Sequence, residues 1–71
     1  MVKNETLLDL GNRVRNFRVS KGYTQTELAN IMGKDHPSLN KLENGKVNPS
    51  YMYLIEVSKA LGIHISELLA K

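Results

Sequence analysis

Four glycines, at positions 22, 33, 45 and 62, each follow a run whose apolar residues recur at helical spacing. A glycine just past such a run is a usual helix stop. This punctuation limits the chain to short helices joined by tight corners. Before Gly22, the stripe Leu7, Leu10, Val14, Phe17 predicts a helix from about Thr6 to Ser20. Thr24-Gln25-Thr26-Glu27 forms a capping box, in which Thr24 bonds the amide of Glu27 and Glu27 reaches back. A second helix then carries Leu28, Ala29, Ile31 and Met32 to Gly33.

Asp35 reads as the N-cap of a third helix running to Asn44, with Leu39 and Leu42 inward. Pro37 falls at its second position. First-turn amides have no intrahelical acceptor, so a proline costs little there; deeper in the helix it costs about 3 kcal/mol. Ser50 is the expected N-cap of a fourth helix, Tyr51 to Leu61, with Leu54, Val57 and Leu61 inward. Ile63 to Leu69 reads as a short fifth helix, with His64 a cap or surface residue. No run alternates as a strand does. The expected fold is all-α, a compact bundle of five short helices.

Composition narrows the class. The 71 residues suggest one domain over 1–71, with its core at about 7–69. With no cysteine, a domain this small relies on helix packing or a partner subunit for stability. No apolar run marks a signal peptide or a membrane span, so a cytoplasmic protein is expected. Two histidines without cysteine or ligand spacing argue against zinc. Asp35, His36 and Ser38 superficially match a catalytic triad, but neighbours on one turn with no oxyanion site do not make an enzyme. No cofactor is expected.

Charge is unevenly spread. Between Arg13 and Lys46 lie seven Lys or Arg against three acids, and the flanks carry a slight acidic excess. Such a local bias suits a phosphate-binding surface. Arg13, Arg15 and Lys21 read as a solvated face of the first helix, with phosphate contact as the alternative. Within the basic stretch, Ala29 is small enough for two helices to approach. Gly33 permits a sharp corner, and Leu39 with Leu42 seals the next helix. This is the helix-turn-helix arrangement, whose second helix enters the DNA major groove.

The wider pattern resembles the Cro/repressor-type (xenobiotic-response-element) helix-turn-helix family of transcriptional regulators. The matching residues are Leu10-Gly11, Val14, Phe17 and Arg18; Tyr23-Thr24-Gln25 with Glu27-Leu28-Ala29; and Gly33, Leu39 and Leu42-Glu43-Asn44-Gly45-Lys46. They continue through Pro49, Leu54, Val57, Ala60-Leu61, Ile63 and Glu67-Leu68, so the likeness covers about residues 7 to 69. It implies a lambda-repressor-like domain that binds palindromic operator DNA as a homodimer. It places His36, Pro37, Asn40 and Lys41 at base edges, and Thr24, Gln25, Ser38, Asn44 and Lys46 at phosphate or sugar. It also implies a structural ion pair between Arg18 and Glu43.

Residue chemistry fits these places. His36 can donate or accept, and Lys41 can donate to guanine O6 and N7. Pro37 can meet a thymine methyl or stiffen the helix tip. Lys34 departs from the family pattern, which usually has a small apolar residue after the turn glycine. Either its stem lies along the core with the ammonium reaching out, or the turn is reshaped. Ile63, Ile65, Leu68 and Leu69 crowd a short helix, with Tyr51 and Tyr53 near the start of the fourth, and are expected to form the dimer interface. Phage repressor, restriction–modification controller and antitoxin are all compatible contexts. The alternative is a helix-turn-helix module that binds a protein, such as a toxin. That version should carry apolar residues at 36, 37, 40 and 41, where three of the four here are polar or basic.

Overall fold

The computed structural model describes residues 4–69. Five helices follow in order: α1 (Asn4–Ser20), α2 (Gln25–Met32), α3 (His36–Glu43), α4 (Tyr51–Leu61) and α5 (Ile65–Leu69). No strand occurs among the described residues. Each of the three middle helices begins at a side-chain cap. Thr24 Oγ1 accepts from the Glu27 amide at 3.1 Å while Glu27 Oε1 accepts from the Thr24 amide at 2.8 Å. Asp35 Oδ1 accepts from the Ser38 amide at 3.2 Å, and Ser50 Oγ from the Tyr53 amide at 3.0 Å. Pro37 lies in the first turn of α3, where its missing N–H leaves no gap.

The apolar faces meet in one core of Val14, Leu28, Ala29, Leu39, Leu42, Leu54, Val57, Leu61 and Leu68. Every helix contributes to it. Ala29 is buried where α2 packs, so a larger side chain there would push the helices apart. The α2–α3 corner turns on Gly33, whose φ of 67° lies in the left-handed region that a side chain disfavours. The Gly33 amide donates to Asn30 O and the Lys34 amide to Ala29 O, closing α2 in the usual glycine-terminated way.

Gly11 sets a close approach between two helices. It is buried in the middle of α1, and a Cβ there would stand 2.5 Å from the Leu42 carbonyl oxygen and 2.6 Å from that of Glu43. α1 therefore lies directly against the backbone at the C-terminal end of α3. In the sequence Gly11 stands out only as part of the family pattern, and this close approach is its physical reason.

Two expectations need correction. The fifth helix starts at Ile65, not Ile63. The Ile63 amide donates back to Ser58 O at 3.0 Å, which makes Ile63 part of the close of α4. His64 caps α5 instead, its Nδ1 accepting from the Ser66 amide at 3.1 Å. Leu68, expected at a dimer interface, is fully buried within this chain and has no surface to offer a second copy. Of the two alternatives for Lys34, the geometry fits the stem that runs along the bundle with its ammonium reaching out: the side chain is 39% exposed and its Nζ pairs with Glu56 Oε1 of α4 at 3.2 Å.

Candidate nucleic-acid interface

α3 is held from behind by a buried carboxylate. Glu43, 1% exposed, receives two guanidinium bonds from Arg18 of α1: Nε to Oε2 at 2.7 Å and Nη2 to Oε1 at 3.0 Å. Arg18 also donates to the Tyr23 carbonyl at 2.8 Å. The paired charges and their filled hydrogen bonds make burial of this carboxylate tolerable. A third donor comes from α2: Gln25 Nε2 reaches Glu43 Oε1 at 2.9 Å. One side chain of α3 thus ties α1, α2 and α3 together.

From Gln25 a line of amides runs along the flank of α3. Gln25 Oε1 accepts from Asn40 Nδ2 at 3.1 Å, and Asn40 Oδ1 accepts from Asn44 Nδ2 at 3.2 Å. Asn44 Oδ1 accepts from Arg15 Nη2 at 3.1 Å, and the same nitrogen donates to the Glu43 carbonyl at 3.2 Å. The direction of the line is fixed at both ends. A carboxylate only accepts and a guanidinium only donates. Reversing the amides would set oxygen on oxygen at Glu43 and N–H on N–H at Arg15. His36 Nε2 lies 2.7 Å from the Gln25 oxygen, so that ring nitrogen carries a proton and donates.

The residues expected at base edges therefore part company. His36 and Asn40 turn toward α2 and the amide line. Pro37 and Lys41 occupy the other flank, exposed, beside a groove of about 310 Å³ also lined by Ser38, Ser50 and Tyr53. Asn40 is half-buried with both ends of its amide engaged, which is a more constrained position than the sequence suggested.

The expected phosphate contacts divide as well. Lys46 is exposed beyond the end of α3. Thr24 uses a hydroxyl lone pair for its cap, which leaves the hydroxyl proton free for an outside acceptor. Gln25 and Asn44 face inward onto partners, and Ser38 Oγ donates to the Asp35 carbonyl at 3.0 Å and lies 3.1 Å from the Tyr53 hydroxyl. Ser38 also bears on Asp35: its side chain first, then its amide, hold the Asp35 carboxyl below its ordinary 3.8. Arg15, read as solvated, is part of the support behind α3. Arg13 reaches the Leu68 carbonyl at 3.4 Å. A long-range arginine contact of this kind leaves no mark in sequence spacing. Among the described residues, no cluster of His, Asp and Glu could hold a metal ion.

A helix-turn-helix family model, HTH_3, matches residues 14–68. The chain belongs to the HTH_3 helix-turn-helix family. Among its relatives, the SPbeta prophage-derived uncharacterized HTH-type transcriptional regulator YonR of Bacillus subtilis is 36% identical over 59 residues, covering 83% of this chain and 55% of that protein. The HTH-type transcriptional regulator SinR of the same organism is 36% identical over 61 residues, covering 84% of this chain and 55% of that protein. The chain thus spans about half the length of these curated relatives. Of solved structures, the restriction–modification controller protein C.AhdI from Aeromonas hydrophila superposes with a TM-score of 0.88 at 33% identity, covering 90% of this chain and 97% of that one. The five-helix HTH_3 bundle is of the lambda-repressor-like type. Its relatives are named as regulators, not enzymes.

Proposed function

We propose that this protein is a transcriptional regulator that binds operator DNA through α3. The observation that carries the reading is the construction of α3. Its back is anchored by Glu43, Leu39 and Leu42, while His36, Pro37 and Lys41 stand exposed at its front. A recognition helix needs that combination, because side chains that read base edges must sit on a rigid support. The regulator names of the relatives support the same reading.

In this reading Lys41 donates to guanine acceptors, His36 meets a base edge, and Pro37 contacts a thymine methyl or holds the tip. Thr24 and Lys46 contact phosphate, and Gln25 uses its remaining N–H in the same way. Ser38 and Asn44 act from behind, by fixing the tip and the end of α3. The protein works as a homodimer on a palindromic site. Leu69 together with Tyr51 and Met52, each exposed by half or more, offers the apolar surface for the second copy. Ile63 and Ile65, half-buried against the core, supply its rim.

The test is fluorescence anisotropy of a mixed-sequence duplex at about 50 and 200 mM salt. A dimer making about 6–10 phosphate contacts should lose about 10³–10⁵ in affinity over that interval. Absence of binding by folded protein at low salt would overturn the proposal and redirect the search to a protein partner.

A further inference from the structure

We propose that Gln25 fixes His36 as a hydrogen-bond acceptor toward DNA, so that His36 selects a base bearing an exocyclic amine, adenine or cytosine. The inference rests on the DNA-binding reading and specifies the chemistry of one contact within it. Three observations carry it. The buried Glu43 carboxylate orients the Gln25 amide, drawing its N–H₂ inward at 2.9 Å and turning its oxygen outward. Asn40 donates to that oxygen from the side at 3.1 Å, in the order imposed by Arg15 at the far end of the line. His36 Nε2 meets the same oxygen at 2.7 Å and must donate.

A neutral imidazole carries one ring proton. With that proton on Nε2, Nδ1 holds a lone pair. Nδ1 makes no hydrogen bond among the described residues, and His36 is exposed at the first position of α3. In the major groove, adenine presents N6–H₂ and cytosine N4–H₂, whereas guanine O6 and N7 and thymine O4 only accept. A lone pair facing those acceptors is repelled. Without Gln25, the imidazole would be free to place its proton on either nitrogen and meet either kind of base. The selectivity thus originates at a buried acid on the far side of the helix, passed through one amide.

Two measurements at pH 8, above the usual titration range of histidine, test this. The first is a long-range ¹H–¹⁵N spectrum of the free protein. A single tautomer with the proton on Nε2 is expected for His36, and a tautomer-averaged pattern in Gln25→Leu. An averaged or Nδ1-protonated pattern in the unaltered protein would overturn the proposal. The second is selection from a randomised duplex library. One position in each half-site should prefer adenine or cytosine by on the order of 10-fold. His36→Ala should abolish that preference and leave the other positions unchanged. His36→Gln, which presents both a donor and an acceptor, should admit guanine there. Gln25→Leu should relax the same position while also weakening binding to every sequence. If the position released by His36→Ala is guanine or thymine, the proposal is wrong. If no duplex binds, base selection falls with the function it rests on, and the spectrum separately reports whether Gln25 sets the tautomer.

Discussion

At the scale of single residues, two ion pairs of comparable length should differ widely in worth. Arg18–Glu43, at 2.7 Å, is buried on the acid side and nearly so on the arginine side. Lys34–Glu56, at 3.2 Å, has both partners more than a third exposed. Glu43→Gln would leave the Arg18 charge desolvated and should cost about 3–5 kcal/mol, whereas Lys34→Ala should cost about 0–1 kcal/mol. Urea denaturation of both variants, read as a shift in midpoint at constant slope, checks the contrast. Sequence gave access to only part of this network. Arg18 and Glu43 came from a family likeness. Arg15, closing the amide line from the other side, was invisible because nothing in a sequence records which of two neighbouring arginines on one helix reaches a carbonyl 28 residues away.

The helices tell a different story, because caps are local. Thr24 with Glu27, Asp35 with Ser38 and Ser50 with Tyr53 each join residues three apart, so sequence spacing alone locates three helix starts. The start of α5 escaped, since Ile63 serves the end of α4 and a histidine is an uncommon cap. Asp35 adds a pH dependence. Its folded value lies below 3.8, so its contribution is fully present above the unfolded value and is lost as pH falls through the folded one. The thermal stability advantage of the native chain over Asp35→Asn, which keeps a capping oxygen without a charge, should therefore shrink as pH is lowered below about 3.8. Thermal melts of the two chains at a series of pH values between 6 and 2.5 would show it, on the order of a few degrees at most. Between elements, Gly11→Ala forces a methyl onto two backbone carbonyls that cannot move aside. It should cost about 1–3 kcal/mol, read by denaturation, despite alanine's better helix propensity.

For the whole molecule, the largest correction concerns the dimer. A stripe of apolar residues on a short final helix does not reveal which one the chain keeps for its own core, and Leu68 is kept. If Leu69, Tyr51 and Met52 form the association surface, Met52→Asp should convert a dimer to monomer at micromolar concentration with the fold intact. Sedimentation equilibrium paired with circular dichroism would decide this. An unchanged dimer would move the interface elsewhere. The general shape of the bundle was legible because its core positions recur at helical spacing. The partition between self and partner was not, because it depends on where α5 lands against α1.

The split flanks of α3 bear on how such a protein can drift. Positions 37 and 41 are exposed and stand apart from the amide line, so a new side chain at either leaves that line intact. Positions 36 and 40 share one oxygen of Gln25, and through it answer to residues on two other helices. Descendants of this chain can therefore explore one edge of the helix by single steps. The other edge changes only in concert, and should persist as a fixed combination while its neighbour varies.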